Sequence, residues 1–215
     1  MRTVAVIDYG MGNLRSVAKA LEHVGKRAGI PLQVSVTTSP DVLRAADRLL
    51  FPGVGAMRDC MAEIRRLCVD EMLREQVKLK PVLAICVGMQ ALMQHSEENG
   101  GVPCIGLFAG KVKRFDDHAV DASGAVLKVP HMGWNRVRQS KPHAMWRDID
   151  NNGHFYFVHI IRSTNSKLAF RQFNFVYDFV FALFTAYFNE YLTRCRHHFN
   201  RFLHKFLYAL SACDV

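Results

Sequence analysis

Apolar positions in the first ninety residues switch repeatedly between a period of two and a period near 3.6. Residues 3–7 form a β-rich run, and Asp8-Tyr9-Gly10-Met11-Gly12-Asn13 breaks it. Leu14, Val17, Leu21 and Val24 then share one helical face. Residues 32–36 alternate as a second strand. Ser39-Pro40-Asp41 reads as a helix start, with Ser39 at the N-cap and Pro40 in the first helical position. Residues 47–51 predict a third strand, closed by Pro52-Gly53-Val54-Gly55. A helix is expected from about 57 to 80, with Met61, Ile64, Leu67, Cys68, Met72 and Val77 facing inward. The apolar residues 82–85 make a short buried strand, and Val87-Gly88-Met89-Gln90-Ala91-Leu92-Met93 opens another helix. Such β-α alternation predicts an α/β fold with a doubly wound, mostly parallel sheet. Ligands of such sheets bind at the carboxyl ends of the strands. Gly53 and Cys86 both fall there, on strands that could be neighbours.

After His95 the pattern changes. Asn99-Gly100-Gly101 is a turn, and short segments around Leu107, Val112 and Val126 predict strands of an antiparallel patch. Residues 130–135 read as irregular and expose a large aromatic, Trp134. Residues 155–159 read as a further strand.

Composition narrows the function classes. The 215 residues suit one large or two small domains, and an apolar fraction of 50% is ordinary for a soluble protein. The net charge of +9 could suggest nucleic acid. The basic residues are scattered, however, and no nucleic-acid motif accompanies them. The six cysteines lack metal spacing, so no metal site is expected. With a strand following Met1 directly, no leader is expected. A reducing, cytoplasmic setting without membrane attachment fits better than a disulfide framework. A dinucleotide fingerprint would need glycine where Arg15 stands, so no cofactor is expected.

Cys86 is the candidate for chemistry. A residue between a strand end and a helix start sits on a sharp turn that holds its side chain out. The helix N-terminus would favour a thiolate there and offer backbone N–H donors to an oxyanion. A buried, inert cysteine is the alternative.

Six separate segments together resemble one family: 7–14 (Ile-Asp-Tyr-Gly-Met-Gly-Asn-Leu), 51–55 (Phe-Pro-Gly-Val-Gly), 85–90 (Ile-Cys-Val-Gly-Met-Gln), 95–98 (His-Ser-Glu-Glu), 129–135 (Val-Pro-His-Met-Gly-Trp-Asn) and 155–159 (Phe-Tyr-Phe-Val-His). Over residues 1–159 the chain resembles the glutaminase subunits of imidazole glycerol phosphate synthase, which are class I, triad-type glutamine amidotransferases. Residues 131–135 separate that family from other glutaminases. Ala84 stands where the family usually has glycine. The resemblance implies that Cys86 attacks the side-chain amide of glutamine to form a thioester, which water then hydrolyses. It implies an oxyanion hole from the Val87 N–H and one N–H of the 52–55 segment, where Gly53 and Gly55 let the backbone approach. It further implies that Gln90 holds the amino-acid end of the substrate, and that ammonia passes to a cyclase subunit docked near Trp134 and Asn135. Taken without the family, Gln90 reads as a solvated helix residue. An inactive relative that only docks its partner, and another elbow-cysteine protein of similar fold, are the competing readings.

The match ends near residue 160. The family's late Gln-Phe-His-Pro-Glu segment, source of its base and orienting carboxylate, has no counterpart, and Ile160 replaces a serine. All 14 Gly and all 7 Pro lie in 1–159, while ten of the 15 Phe lie in the last 56 residues. The expected organisation is an amidotransferase domain over 1–159, incomplete at its end, and a Phe-rich tail over 160–215. Loss of the reading frame near residue 160 would explain that change. A real tail would offer a basic amphipathic stripe through Phe199, Phe202, Leu203, Phe206, Leu207 and Leu210. His197 and His198 lie in its basic flank and lack a neighbouring Pro-Glu.

Overall fold

The computed structural model of the chain describes residues 1–121, 123–139, 146, 149–159 and 161–163. The tail stripe, His197 and His198 therefore lie outside the described residues. The chain divides into two compact units, one holding Met1–Lys113 and the other beginning at Arg114.

The first unit is the alternating one. Its elements are β1 (Arg2–Ile7), α1 (Leu14–Arg27), β2 (Leu32–Thr37), α2 (Pro40–Ala45), β3 (Arg48–Phe51), α3 (Met57–Arg66), α4 (Val69–Gln76), β4 (Val82–Ala84) and α5 (Val87–Ala91). The four strands are parallel in the order β2-β1-β3-β4. Val6 pairs Leu50, and Phe51 pairs Ala84. The Cys86 strand therefore does lie beside the strand that ends at Pro52. Ala84 is buried in its strand, so the methyl group at this position is accommodated. β1 and β3 are apolar in both directions because helices cover them, and Val4 to Ile7 and Leu49 to Phe51 are fully buried. Helix α1 offers Val17, Leu21 and Val24 to this core, and Asn13 caps it by accepting from the Ser16 N–H at 3.3 Å.

Several expectations are corrected. The single helix over 57–80 is two helices. Cys68 adopts a left-handed conformation at φ 51, which ends α3 and starts α4. The same break turns Cys68 out to solvent, so it does not face inward. Ser39 does precede α2, but its side chain caps nothing. Leu107 lies in a bend, not a strand.

A smaller sheet includes β5 (His95–Ser96), β6 (Val102–Pro103) and β7 (Lys111–Arg114). It is mixed: β5 runs antiparallel to β6 and parallel to β7. The Ile105 N–H donates to the Ala91 carbonyl at 2.8 Å, and Arg65 reaches the Pro103 carbonyl at 2.7 Å. These bonds tie the small sheet to α5 and α3.

In the second unit β8 (His131–Val137) and β9 (Gly153–His159) form an antiparallel ribbon, with Trp134 opposite Tyr156. Residues 131–135 are thus a strand and not irregular. Val126 makes an isolated bridge to Val120.

Candidate active site

At the carboxyl edge of the main sheet three loops lie side by side: 8–13 after β1, 52–56 after β3, and Cys86 after β4. They touch. A Cβ on Gly12 would stand 3.4 Å from the Pro52 ring, and one on Gly55 would stand 3.1 Å from the Met11 methyl.

Cys86 has φ 56 and ψ −125, outside the usual basins for a residue with a side chain. Strand β4 ends two residues before it and α5 begins one residue after. The turn is held because Ile85 donates to the Phe51 carbonyl at 2.9 Å and Gly88 donates to the Ile85 carbonyl at 3.1 Å. Strain of this kind persists only where the surroundings fix it, and it concentrates at functional positions.

Gly53 and Gly88 make the close approach. A Cβ on Gly88 would sit 2.3 Å from the Phe51 carbonyl oxygen, and one on Gly53 would sit 2.5 Å from the Gly88 nitrogen. Only bare backbone lets α5 rest on the 52–55 segment. Gly88 is as necessary to this arrangement as Gly53, although its place early in a helix gives no sign of it in the sequence. Among the described residues nothing accepts a backbone hydrogen bond from the N–H groups of Gly53, Val54 or Gly55. They are free donors on the loop that packs against the Cys86 elbow. The Val87 N–H points at the Cys86 sulfur.

The electrostatics run against the expected thiolate. Burial pushes the Cys86 thiol up to about 11, and the hydrogen bond from Val87 offsets only part of that. The neighbouring Cys60 and Glu98 add to the rise. A five-residue helix supplies too little field to reverse desolvation.

Gln90 lies one turn along α5 and is 2% exposed, with neither its amide oxygen nor its nitrogen hydrogen-bonded. It is not the solvated residue that its helix position alone suggests. A buried amide with both ends unused calls for an explanation. Glu98, half-buried in the turn Glu98–Gly100, stands near enough to raise the thiols of Cys86, Cys60 and Cys104. It forms no ion pair among the described residues. No local pattern distinguishes it from Glu97 before the fold is seen. Trp134 and Asn135 belong to the second unit. Trp134 is 47% exposed and meets Tyr156 edge-on at 5.6 Å. Among the described residues no cluster of His, Cys, Asp and Glu could hold a metal ion, and no helix is long and apolar enough to cross a membrane.

A strained cysteine elbow beside a loop of unpaired backbone N–H groups, on a doubly wound sheet, is the arrangement found in enzymes that attack acyl carbons through sulfur. The profile of the class-I glutamine amidotransferases matches residues 5–178, and the chain belongs to that family. Its relatives within the family are imidazole glycerol phosphate synthase subunits HisH. That of Pseudomonas putida is 62% identical over 159 residues, covering 74% of this chain and 72% of its own. That of Pseudomonas syringae is 55% identical over 185 residues, covering 85% and 84%. The second alignment runs beyond the last segment that could be matched by motif. The solved structure of a putative GMP synthase component from Thermoplasma acidophilum shares the fold, with a TM-score of 0.56 at 16% identity over 97% of this chain and 96% of its own.

Proposed function

We propose that the chain is the glutaminase subunit of an imidazole glycerol phosphate synthase, releasing ammonia from glutamine for a cyclase subunit in histidine biosynthesis. The observation that supports it best is Cys86 on a strained elbow whose helix packs on the 52–55 loop, where the N–H groups of Gly53, Val54 and Gly55 are unused. The Cys86 sulfur attacks the γ-amide carbonyl. Negative charge develops on the carbonyl oxygen, where the N–H of Val87 and one from Gly53 to Gly55 receive it. The tetrahedral intermediate collapses with loss of ammonia, leaving a thioester that water opens to glutamate. Gln90 and Glu98 hold the amino-acid end, the Glu98 carboxylate facing the substrate ammonium. The reaction belongs in the cytoplasm, beside a cyclase that docks on the face carrying Trp134 and Asn135.

The same reading makes this chain a weakened member. No His-Pro-Glu segment occurs in it, and the composition changes where that segment should approach. A reading frame lost near residue 160 accounts for both facts. Translation of the other frames of the coding DNA should return a Gln-Phe-His-Pro-Glu type sequence, and finding none would remove the frameshift.

To test the nucleophile, incubate the chain with a diazoketone analogue of glutamine and map the labelled peptide by mass spectrometry. The label should fall on Cys86 and vanish in Cys86→Ala. Equal labelling of that variant would overturn the assignment.

A further inference from the structure

The ribbon of β8 and β9 has two unlike faces. Side chains alternate along a strand, and Phe155 and Phe157 are buried. Theirs is the inner face. The outer one carries Met132, Trp134 and Arg136 of β8, with Tyr156 opposite Trp134 and His154 opposite Arg136. Met132 is 60% exposed, and Trp134 stays half exposed while meeting Tyr156 edge-on. Arg136 and His154 are exposed as well, and so is Arg138 just past the strand. The outer face is therefore divided along its length, apolar and aromatic at one end and basic at the other. The basic end has no explanation within the ribbon. Two basic residues directly opposite across a strand pair add no stabilising contact. Arg44, Arg58, Arg66 and Arg114 each pair with a carboxylate of the chain. Among the described residues Arg136 and Arg138 pair with none, and the exposed Asp150 in the loop before β9 reaches neither.

We propose that the basic end of this face, Arg136 with His154, receives a cluster of carboxylates on the cyclase subunit, beside an apolar contact made by Met132, Trp134 and Tyr156. Arginine and aromatic side chains are the types enriched where one protein docks on another. The guanidinium offers a planar fork that holds a carboxylate through two hydrogen bonds, and the ring of His154 offers a further N–H donor alongside. The net charge of +9 repels a cationic surface on approach, so the region of the partner that meets this face is acidic. The two ends of the face then have separate tasks. Exposed charge at the rim steers encounter and sets the on-rate, while the aromatic anchor sets the lifetime of the complex.

This contact rests on the reading of the chain as a cyclase-docking subunit, and the experiment separates the two. Association of the full chain with its purified, surface-immobilised cyclase subunit is followed by plasmon resonance for the parent, Arg136→Gln, Arg136→Glu and Trp134→Ala. At low salt the on-rate should fall about threefold in Arg136→Gln and about tenfold in Arg136→Glu. Both should converge on the parent at about 0.5 M salt, where charges are screened within a few ångströms. Trp134→Ala should raise the off-rate and leave the salt dependence of the on-rate as in the parent. Arg136→Gln should unfold at the parent's temperature, because Arg136 has no ion pair to lose among the described residues. Equal on-rates and equal salt dependence for the parent and Arg136→Glu, with Trp134→Ala still weakening the complex, overturn the acidic contact and leave the subunit reading intact. Faster association of Arg136→Glu gives this face a cationic partner and overturns the contact too. A lower unfolding temperature in Arg136→Gln, with a loss of affinity that salt does not change, makes Arg136 structural and does the same. Self-association of the chain that Trp134→Ala abolishes and the cyclase does not compete with gives the face to a second copy, again overturning the contact. No association of the parent with the cyclase overturns both.

Discussion

At the scale of the residue, the backbone turn at Cys86 was legible but its acidity was not. The strand-cysteine-helix pattern fixes its backbone, and the structure reproduces that elbow with φ 56. Its ionisation depends on burial among Tyr9, Cys60 and Glu98, which are remote in sequence and meet only in the fold. The thiol is pushed up to about 11, so the neutral form is favoured and only on the order of 10⁻⁴ is thiolate at neutral pH. Alkylation of Cys86 by iodoacetamide should therefore be slow at pH 7, rise steadily above pH 9, and have its midpoint near 11, read by mass spectrometry of the Cys86 peptide against the exposed Cys68. A midpoint below 8 would show that the elbow's N–H groups outweigh desolvation. The sign carries over to stability. A folded thiol with a raised pKa stabilises the fold below the ordinary thiol range, and that contribution is lost as pH climbs through it toward 11. Gln90 illustrates the limit of periodicity. Helix α5 has five residues and all are buried, so no face of it is solvated and helical spacing carries no signal.

At the scale of the element, the alternation β-α-β was fully legible, while the junctions were not. Parallel strands buried on both faces read as apolar runs, as β1, β3 and β4 do, while the edge strand β2 alternates. The break at Cys68 shifts the inward face by one residue, from 57, 60, 61 and 64 in α3 to 69, 72, 73 and 76 in α4, and the apolar Leu67 and Cys68 hide that slip in the sequence. Residues 131–135 read as irregular because Pro130 and Gly133 punctuate them, yet they pair with β9 in unbroken register from His131↔His159 to Val137↔Gly153. That register holds Trp134 on a ribbon against Tyr156, as a rigid exposed aromatic of the kind enriched at interface centres. Trp134→Ala should weaken association with a purified cyclase by at least tenfold in a titration; unchanged affinity would remove it from the interface. The elbow junction has its own prediction. Gly88→Ala places a methyl group 2.3 Å from the Phe51 oxygen, so α5 must move off the 52–55 segment. Overpacking of this kind costs about 1–3 kcal/mol. The urea midpoint should fall accordingly and diazoketone labelling of Cys86 should drop with it; a variant as stable and as reactive as the parent would show that the close approach is not needed.

At the scale of the whole molecule, the chain joins a family's nucleophile to an ending that lacks the family's base. Residues 1–159 contain the elbow, the Gly-rich 52–55 loop and the buried Gln90, and the elbow and loop could be read because each is a contiguous motif. The general base could not be read, because the segment that supplies it in the family has no counterpart in this sequence. On the proposed reading, a thiol at about 11 without a His-Pro-Glu segment to supply its base would attack an amide poorly. Loss of members of a catalytic triad costs on the order of 10⁴ to 10⁶ in rate in the serine proteases where it has been dissected. The chain co-expressed with its cyclase should therefore release glutamate at least 10³-fold more slowly than an intact relative, an order-of-magnitude expectation. Restoring the alternative frame after residue 160 should recover most of that rate, and Cys86→Ala should abolish what either version shows. Turnover by the chain as it stands, within about tenfold of an intact relative, would mean that residues 160–215 supply a base after all.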